Sequence, residues 1–200
     1  MILLKLICHR GIYENNIKEN TLESIIKGFN DDKYDGVEFD VRVSLDGVFF
    51  LYHDLFYKGK LVSKMKFNEL PRYIPTLESV LKINTNKIFL IEIKNIDGHE
   101  NDFIKILNKY KNKNIYIMSF DTKLISSFTK KNINFKLGVL NYLLNSKEIS
   151  NLDFICLLNR VITDDIILLL KQKNIEIFSY GILKKNSVGN KNIYYIIDEN

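Results

Sequence analysis

Two stretches of this sequence place carboxylates at alternate positions of an apolar run. In Gly36-Val-Glu-Phe-Asp-Val-Arg-Val43, strand alternation sends Val37, Phe39, Val41 and Val43 to one face and Glu38, Asp40 and Arg42 to the other. Ile88-Phe-Leu-Ile-Glu-Ile-Lys94 repeats the pattern, with Phe89, Ile91 and Ile93 opposite Glu92 and Lys94. A carboxylate pair at i, i+2 can share one hard cation such as Ca²⁺ or Mg²⁺, and Glu92 would supply a third ligand. Lys94 would then stand beside the site for an anion. His9-Arg10 and His53-Asp54 each close an apolar run. Histidine moves protons near neutral pH, so one imidazole could deprotonate a nucleophile while the other protonates a leaving alkoxide. Arg10 offers phosphate oxygens a planar, bidentate fork. Each piece alone has a plainer reading: a charged outer face, an ion pair at a strand end, a hydrogen-bonded buried histidine. Together they make a complete set for cleaving a phosphodiester.

These residues need a frame that gathers strand ends. Short apolar runs predict strands near Leu3–Cys8, Gly36–Val43, Val48–Tyr52, Ile88–Ile93, Ile115–Ser119, Phe135–Leu140, Phe154–Leu157, Ile175–Tyr180 and Ile193–Ile197. Helical spacing predicts helices near Thr21–Asn30, Thr76–Lys82, His99–Tyr110, Thr122–Lys131 and Thr163–Lys173, with Thr76, Thr122 and Thr163 as capping candidates. Alternating strands and helices imply parallel βαβ units. The expected fold is an α/β (β/α)8 TIM-type barrel with trimmed loops and a helix missing or vestigial, because about 200 residues is the lower limit for such a barrel. Asp46-Gly47 reads as a tight turn pairing two neighbouring strands, which accounts for a ninth strand. The runner-up is an open, doubly wound sheet. Residues 1–200 read as a single domain, with no internal repeat or linker. In a barrel, active sites collect at the C-terminal ends of the strands, where Glu92, Lys94 and both histidines fall.

Composition narrows the function classes. The chain is 46% hydrophobic and 26% charged, with only 2 prolines and 9 glycines, which fits a globular protein and not a disordered or fibrous one. Its net charge of +5 is dispersed. No block of basic residues interleaved with aromatics marks a nucleic-acid groove, and Lys109-Tyr-Lys-Asn-Lys113 reads as the solvated end of a helix. Cys8 and Cys156 lack zinc or disulfide spacing and read as reduced, buried thiols. Met1–Cys8 is apolar but short and lacks a small-residue cleavage site, so it reads as a first strand rather than a signal peptide. No apolar run approaches the roughly 18 residues of a membrane span. The expectation is a cytoplasmic protein with no stable membrane insertion. His99 reads as a surface residue at a helix start, and Asp164-Asp165 as charge complementing a helix N-terminus.

Taken in order, His9-Arg10-Gly11, Glu19-Asn20-Thr21-Leu22, Glu38-Phe39-Asp40-Val41, Asp46-Gly47, His53-Asp54, Pro75-Thr76-Leu77-Glu78, Glu92-Ile93-Lys94 and Ser119-Phe120-Asp121 resemble the glycerophosphodiester phosphodiesterase family. The likeness covers the first 120 residues, then fades to strand–helix rhythm. It implies a (β/α)8 barrel cleaving small-molecule glycerophosphodiesters to glycerol phosphate and an alcohol with a divalent metal ion, Ca²⁺ or Mg²⁺. By position, His9 and His53 look like the acid–base pair, Glu38, Asp40 and Glu92 like metal ligands, and Arg10 and Lys94 like phosphate contacts. Glu19, Asn20, Ser119 and Tyr180 match positions near the pocket, Tyr180 standing where the family shows tryptophan. Lys18 replaces a usual proline, and Leu55–Lys60 is shorter than the family's insert, which bears on specificity. Two other functions compete: a related barrel phospholipase of sphingomyelinase D or phosphatidylinositol-cleaving type, and a noncatalytic barrel binding phosphate ligands. The first is disfavoured by the expectation of no secretion signal and no exposed apolar loop, the second by the completeness of the residue set.

Overall fold

The structure, a computed structural model, describes residues 4–14, 16–131, 133–145, 150–182 and 189–198. Eight parallel strands close a ring: β1 (Lys5–His9), β2 (Gly36–Val43), β6 (Ile88–Asn95), β7 (Ile115–Ser119), β8 (Lys136–Asn141), β9 (Phe154–Leu158), β10 (Glu176–Tyr180) and β11 (Ile193–Ile197), with β11 returning to β1. The barrel expectation holds and the open sheet does not. β3 (Phe49–Leu51) runs antiparallel to β2 outside the ring, joined through Asp46-Gly47 as the turn signal predicts. Two shorter strands, β4 (Phe56–Tyr57) and β5 (Lys60–Leu61), pair only with each other. Leu3, the expected start of the first strand, lies outside the described residues.

Among the described residues, five helices pack outside the ring: α1 (Leu22–Asn30), α2 (Leu77–Leu81), α3 (Glu100–Asn108), α4 (Thr122–Thr129) and α5 (Asp164–Gln172). Among the described residues none follows β8 or β10, so the trimming falls on the second half of the barrel. Thr21, Thr76 and Thr163 cap their helices by accepting from backbone N–H groups. At α4 the cap is Asp121, which accepts from Lys123 and Leu124, and Thr122 is already helical. That corrects the expected cap by one residue.

Strand alternation sorts the core into two layers. Outward residues such as Cys8, Val37, Phe39, Ile91 and Ile117 pack beneath the helices with Ile25, Phe29 and Phe128. Inward residues Ile7, Leu90, Tyr116, Met118, Phe154, Cys156 and Phe178 fill the barrel. Both cysteines are buried and neither forms a disulfide among the described residues, Cys8 facing the helices and so away from the histidine beside it. A third cluster, Phe50, Val62, Met65, Leu70 and Ile74, forms a small core under the segment between β3 and α2.

Candidate active site

The inward face of β2 rises from the barrel core to Glu38 and Asp40, both about 1% exposed, and the register sets Asp40 directly beside Glu92 on β6. His9 on β1 lies beside Glu38. A register shift after Val41 leaves Lys94 as an extra residue in β6. Such a bulge re-aims a side chain, and here the Lys94 ammonium meets Glu92 Oε1 at 2.5 Å and Asp40 Oδ1 at 3.0 Å. Ligand oxygens of Glu38, Asp40 and Glu92 lie within 4.8 Å of one another.

The turn after β1 wraps this cluster. Arg10 and Gly11 both take positive φ (56° and 80°), and a Cβ on Gly11 would fall 2.4 Å from the Ser24 backbone, so glycine is required where the turn presses on α1. The turn swings the Arg10 guanidinium to Glu19 (2.8 Å) and Asp40 Oδ2 (3.2 Å). Asn20, also at positive φ (55°), donates to Asp40 Oδ2 at 2.7 Å and accepts from the Asp40 N–H at 3.1 Å. The Glu19-Asn20-Thr21 segment therefore has three separate jobs: pairing Arg10, clamping Asp40 and capping α1.

The neighbouring cations offset the three carboxylates unevenly. Burial and the nearby Asp40 carboxylate push Glu38 up to about 8, and burial with Asp40 also raises Glu92. Burial acts on Asp40 in the same sense but is outweighed by Lys94, Arg10 and the Asn20 hydrogen bond, which hold it below its ordinary value. Glu38 Oε1 is buried with no hydrogen-bond partner among the described residues. An orphaned oxygen in a ring of three buried carboxylates fits a hard divalent cation, which would satisfy it and relieve the repulsion.

Both imidazoles are tethered at Nδ1. His9 Nδ1 lies 2.6 Å from Asp198 Oδ1, and that carboxylate also accepts from Tyr13 at 3.1 Å. His53 Nδ1 lies 2.9 Å from Asp54. An ionised carboxylate only accepts, so in both rings Nδ1 carries the proton and Nε2 is the free working nitrogen. His9 Nε2 faces the cluster, 3.8 Å from Glu38 Oε2. Burial opposes the charged form of His9, but Asp198 and Glu38 outweigh it and raise its pKa. His53 is held by its backbone too: Arg42, on the inward face of β2, donates to the His53 carbonyl at 2.6 Å.

The other sequence candidates separate. Ser119 is buried, its hydroxyl donating to Ile93 O at 2.7 Å and accepting from Asp121 N, so it closes a strand end rather than opening onto the pocket. Tyr180 stands at the end of β10, edge-on to Phe120 at 6.4 Å. His99 is partly exposed in a separate cleft of about 650 Å³ outside the barrel, lined also by Asp46, Phe49 and Lys109. Sequence reasoning gave no role to Asp198 or Arg42. Asp198 lies 189 residues from His9 and meets it only because β11 closes on β1; its position at the end of the last apolar run was the available signal. One expectation is overturned outright. The loop after His53-Asp54 is a β-hairpin that leaves Leu55 49% and Phe56 52% exposed, so this chain does present an exposed apolar loop.

Among solved structures, the barrel is similar to a phosphodiesterase of Oleispira antarctica in complex with the product sn-glycerol-3-phosphate (TM-score 0.82, 18% identity, covering 97% of this chain and 92% of that one). It is also similar to glycerophosphodiester phosphodiesterases of Parabacteroides distasonis (0.81, 19%, 98% and 92%) and Thermotoga maritima (0.75, 24%, 98% and 94%). No curated protein matches the chain. The model of the glycerophosphoryl diester phosphodiesterase family matches residues 9–196, nearly the whole sequence. The chain belongs to that family and is a phosphoric diester hydrolase.

Proposed function

We propose that this protein hydrolyses small glycerophosphodiesters to glycerol phosphate and an alcohol, with a divalent cation, Ca²⁺ or Mg²⁺, held by Glu38, Asp40 and Glu92. The observation that carries this reading is the convergence of the three buried carboxylates, one oxygen orphaned, beside the free Nε2 of His9. A cation there would neutralise the carboxylates and draw charge from a phosphoryl oxygen.

The chain's own residues do the rest. Arg10 and Lys94, each held by a carboxylate, present positive charge to the remaining phosphate oxygens. One imidazole removes the proton from the attacking oxygen as the new P–O bond forms, that oxygen coming from water directly or from a substrate hydroxyl whose cyclic diester water then opens. The other, entering the step as the imidazolium, delivers its Nε2 proton to the alkoxide as the old P–O bond breaks. Asp198 and Asp54 hold each ring by its Nδ1–H, so that Nε2 is the nitrogen that takes up or gives the proton. Asn20 supports Asp40 from behind, leaving its other oxygen toward the cluster. Tyr180 and Phe120 form an aromatic wall for the organic part of the substrate.

Release of choline from glycerophosphocholine tests the reading. Turnover with Ca²⁺ or Mg²⁺ that EDTA abolishes, and a loss of at least about a hundredfold in His9→Ala and His53→Ala, is expected. Metal-loaded His9→Ala and His53→Ala variants with full rate would end the assignment. The exposed apolar hairpin beside His53 favours a second reading, in which the diester is that of a phospholipid; release of headgroup from liposomes but not from soluble diesters would select it.

A further inference from the structure

The β4–β5 hairpin is built unlike the rest of the chain. Lys58 and Gly59 both take positive φ (48° and 77°), the arrangement of a two-residue hairpin turn. Phe56 and Leu61 are cross-strand partners, so their side chains share one face of the ribbon. Tyr57 packs edge-on against Tyr52 and Val62 is fully buried, which anchors the ribbon to the small core below. Leu55, Phe56 and Leu61 are left uncovered, 49%, 52% and 37% exposed. Lysines 58 and 60 are exposed on the same ribbon, and Lys64, Lys66 and Arg72 are exposed in the segment that follows. Those five basic residues face only Asp54 and Glu69 between positions 54 and 73.

We propose that this hairpin docks the protein on an anionic lipid surface, Leu55, Phe56 and Leu61 entering the headgroup region while Lys58 and Lys60 pair with lipid phosphates. Charge complementarity selects the occupant. A few apolar side chains ringed by lysine suffice to hold a protein at an anionic bilayer. They are far too small a patch for a stable protein interface, which needs about 800 Å² from each partner. The docking is peripheral: no helix of the described residues is long and apolar enough to cross a membrane. The hairpin begins three residues after His53, so docking turns the barrel mouth toward the lipid. Phe120, Tyr142 and Leu143, at the ends of β7 and β8, are exposed apolar residues at the same end of the barrel.

The chain has no tryptophan, so Phe56→Trp creates a single fluorescent reporter at the tip. Its emission shifts to the blue on adding vesicles of phosphatidylglycerol and phosphatidylcholine, and stays unchanged with phosphatidylcholine alone. The unmodified protein pellets with the anionic vesicles about tenfold more tightly than with neutral ones, less so at high salt. Phe56→Ser/Leu61→Ser and Lys58→Glu/Lys60→Glu each remove that binding while keeping the wild-type melting temperature. No blue shift with anionic vesicles, pelleting that survives both double variants, or a concentration-dependent dimer lost in Phe56→Ser/Leu61→Ser would overturn the proposal. Binding is read without turnover, so the result stands apart from the outcome for glycerophosphocholine.

Discussion

The two ends of the barrel both gather polar residues, but they settle their charge differently. At the floor, Tyr116, Lys136 and Glu176 come from three strands. The Lys136 ammonium contacts both Glu176 and the Tyr116 hydroxyl, which also donates to Glu176 at 3.0 Å. Phe154, Phe178 and Tyr194 stack around them, Tyr194 lying 4.6 Å from Phe178. One cation meets one carboxylate, and the cluster is complete within itself. At the mouth, three carboxylates crowd together, Glu38 Oε1 has no hydrogen-bond partner among the described residues, and Arg10 and Lys94 are shared among Glu19, Asp40 and Glu92. The same fold therefore closes one end with a satisfied network and leaves a buried carboxylate oxygen at the other without a hydrogen-bond partner among the described residues. Such a site favours a ligand that brings positive charge.

Substitutions should separate the two ends. Asp40→Asn, which removes a charge from the mouth while keeping the Asn20 contacts nearly isosteric, should lower turnover of glycerophosphocholine by at least about a hundredfold. Asp198→Asn should lower kcat by about tenfold to a hundredfold, because His9 loses the acceptor that fixes its tautomer, with little change in melting temperature. Steady-state kinetics with excess metal measures both.

The mouth's strain should also appear as a pH dependence of the metal-free protein. The Glu38 carboxyl sits up at about 8 in the fold against an ordinary value of 4.5, so the folded chain binds a proton there that the unfolded chain has released. This contribution is fully present below about 4.5 and is lost as pH rises through about 8. Chemical denaturation in EDTA should show stability falling across that window, and Glu38→Gln should flatten the fall. At the floor, Glu176→Gln should cost only about 1 kcal/mol, since the pair is partly exposed, and should leave turnover within about twofold of wild type. A floor substitution that silenced hydrolysis would break the contrast.

What could be read from the sequence follows the range of the interactions involved. Alternation with period two is local, so the facing of Glu38 with Asp40 and of Glu92 with Lys94 was legible, as were the strand-end positions of both histidines. Order along the chain gave the barrel, because each βαβ step is local as well. Contacts made only on closure were not legible: Asp198 to His9 spans the β11–β1 seam, and the floor joins three strands that are distant in sequence. Hydroxyl groups mislead for a related reason. Ser119 has the right place for a pocket residue, yet its hydroxyl is engaged by the Ile93 carbonyl of β6 and the Asp121 N–H at the start of α4. The uncovered face of the hairpin after His53 is not legible in the sequence, because Phe56 and Leu61 look like ordinary core residues until pairing puts both on it.

The central claim is that the mouth is a cation site. Calorimetric titration of Ca²⁺ and of Mg²⁺ into EDTA-stripped protein tests it most directly. The account predicts one divalent ion per chain for at least one of these metals, with the binding heat lost in Asp40→Asn and Glu92→Gln and unchanged in Glu176→Gln. Absence of binding for both metals, or binding that survives loss of those carboxylates, would contradict it.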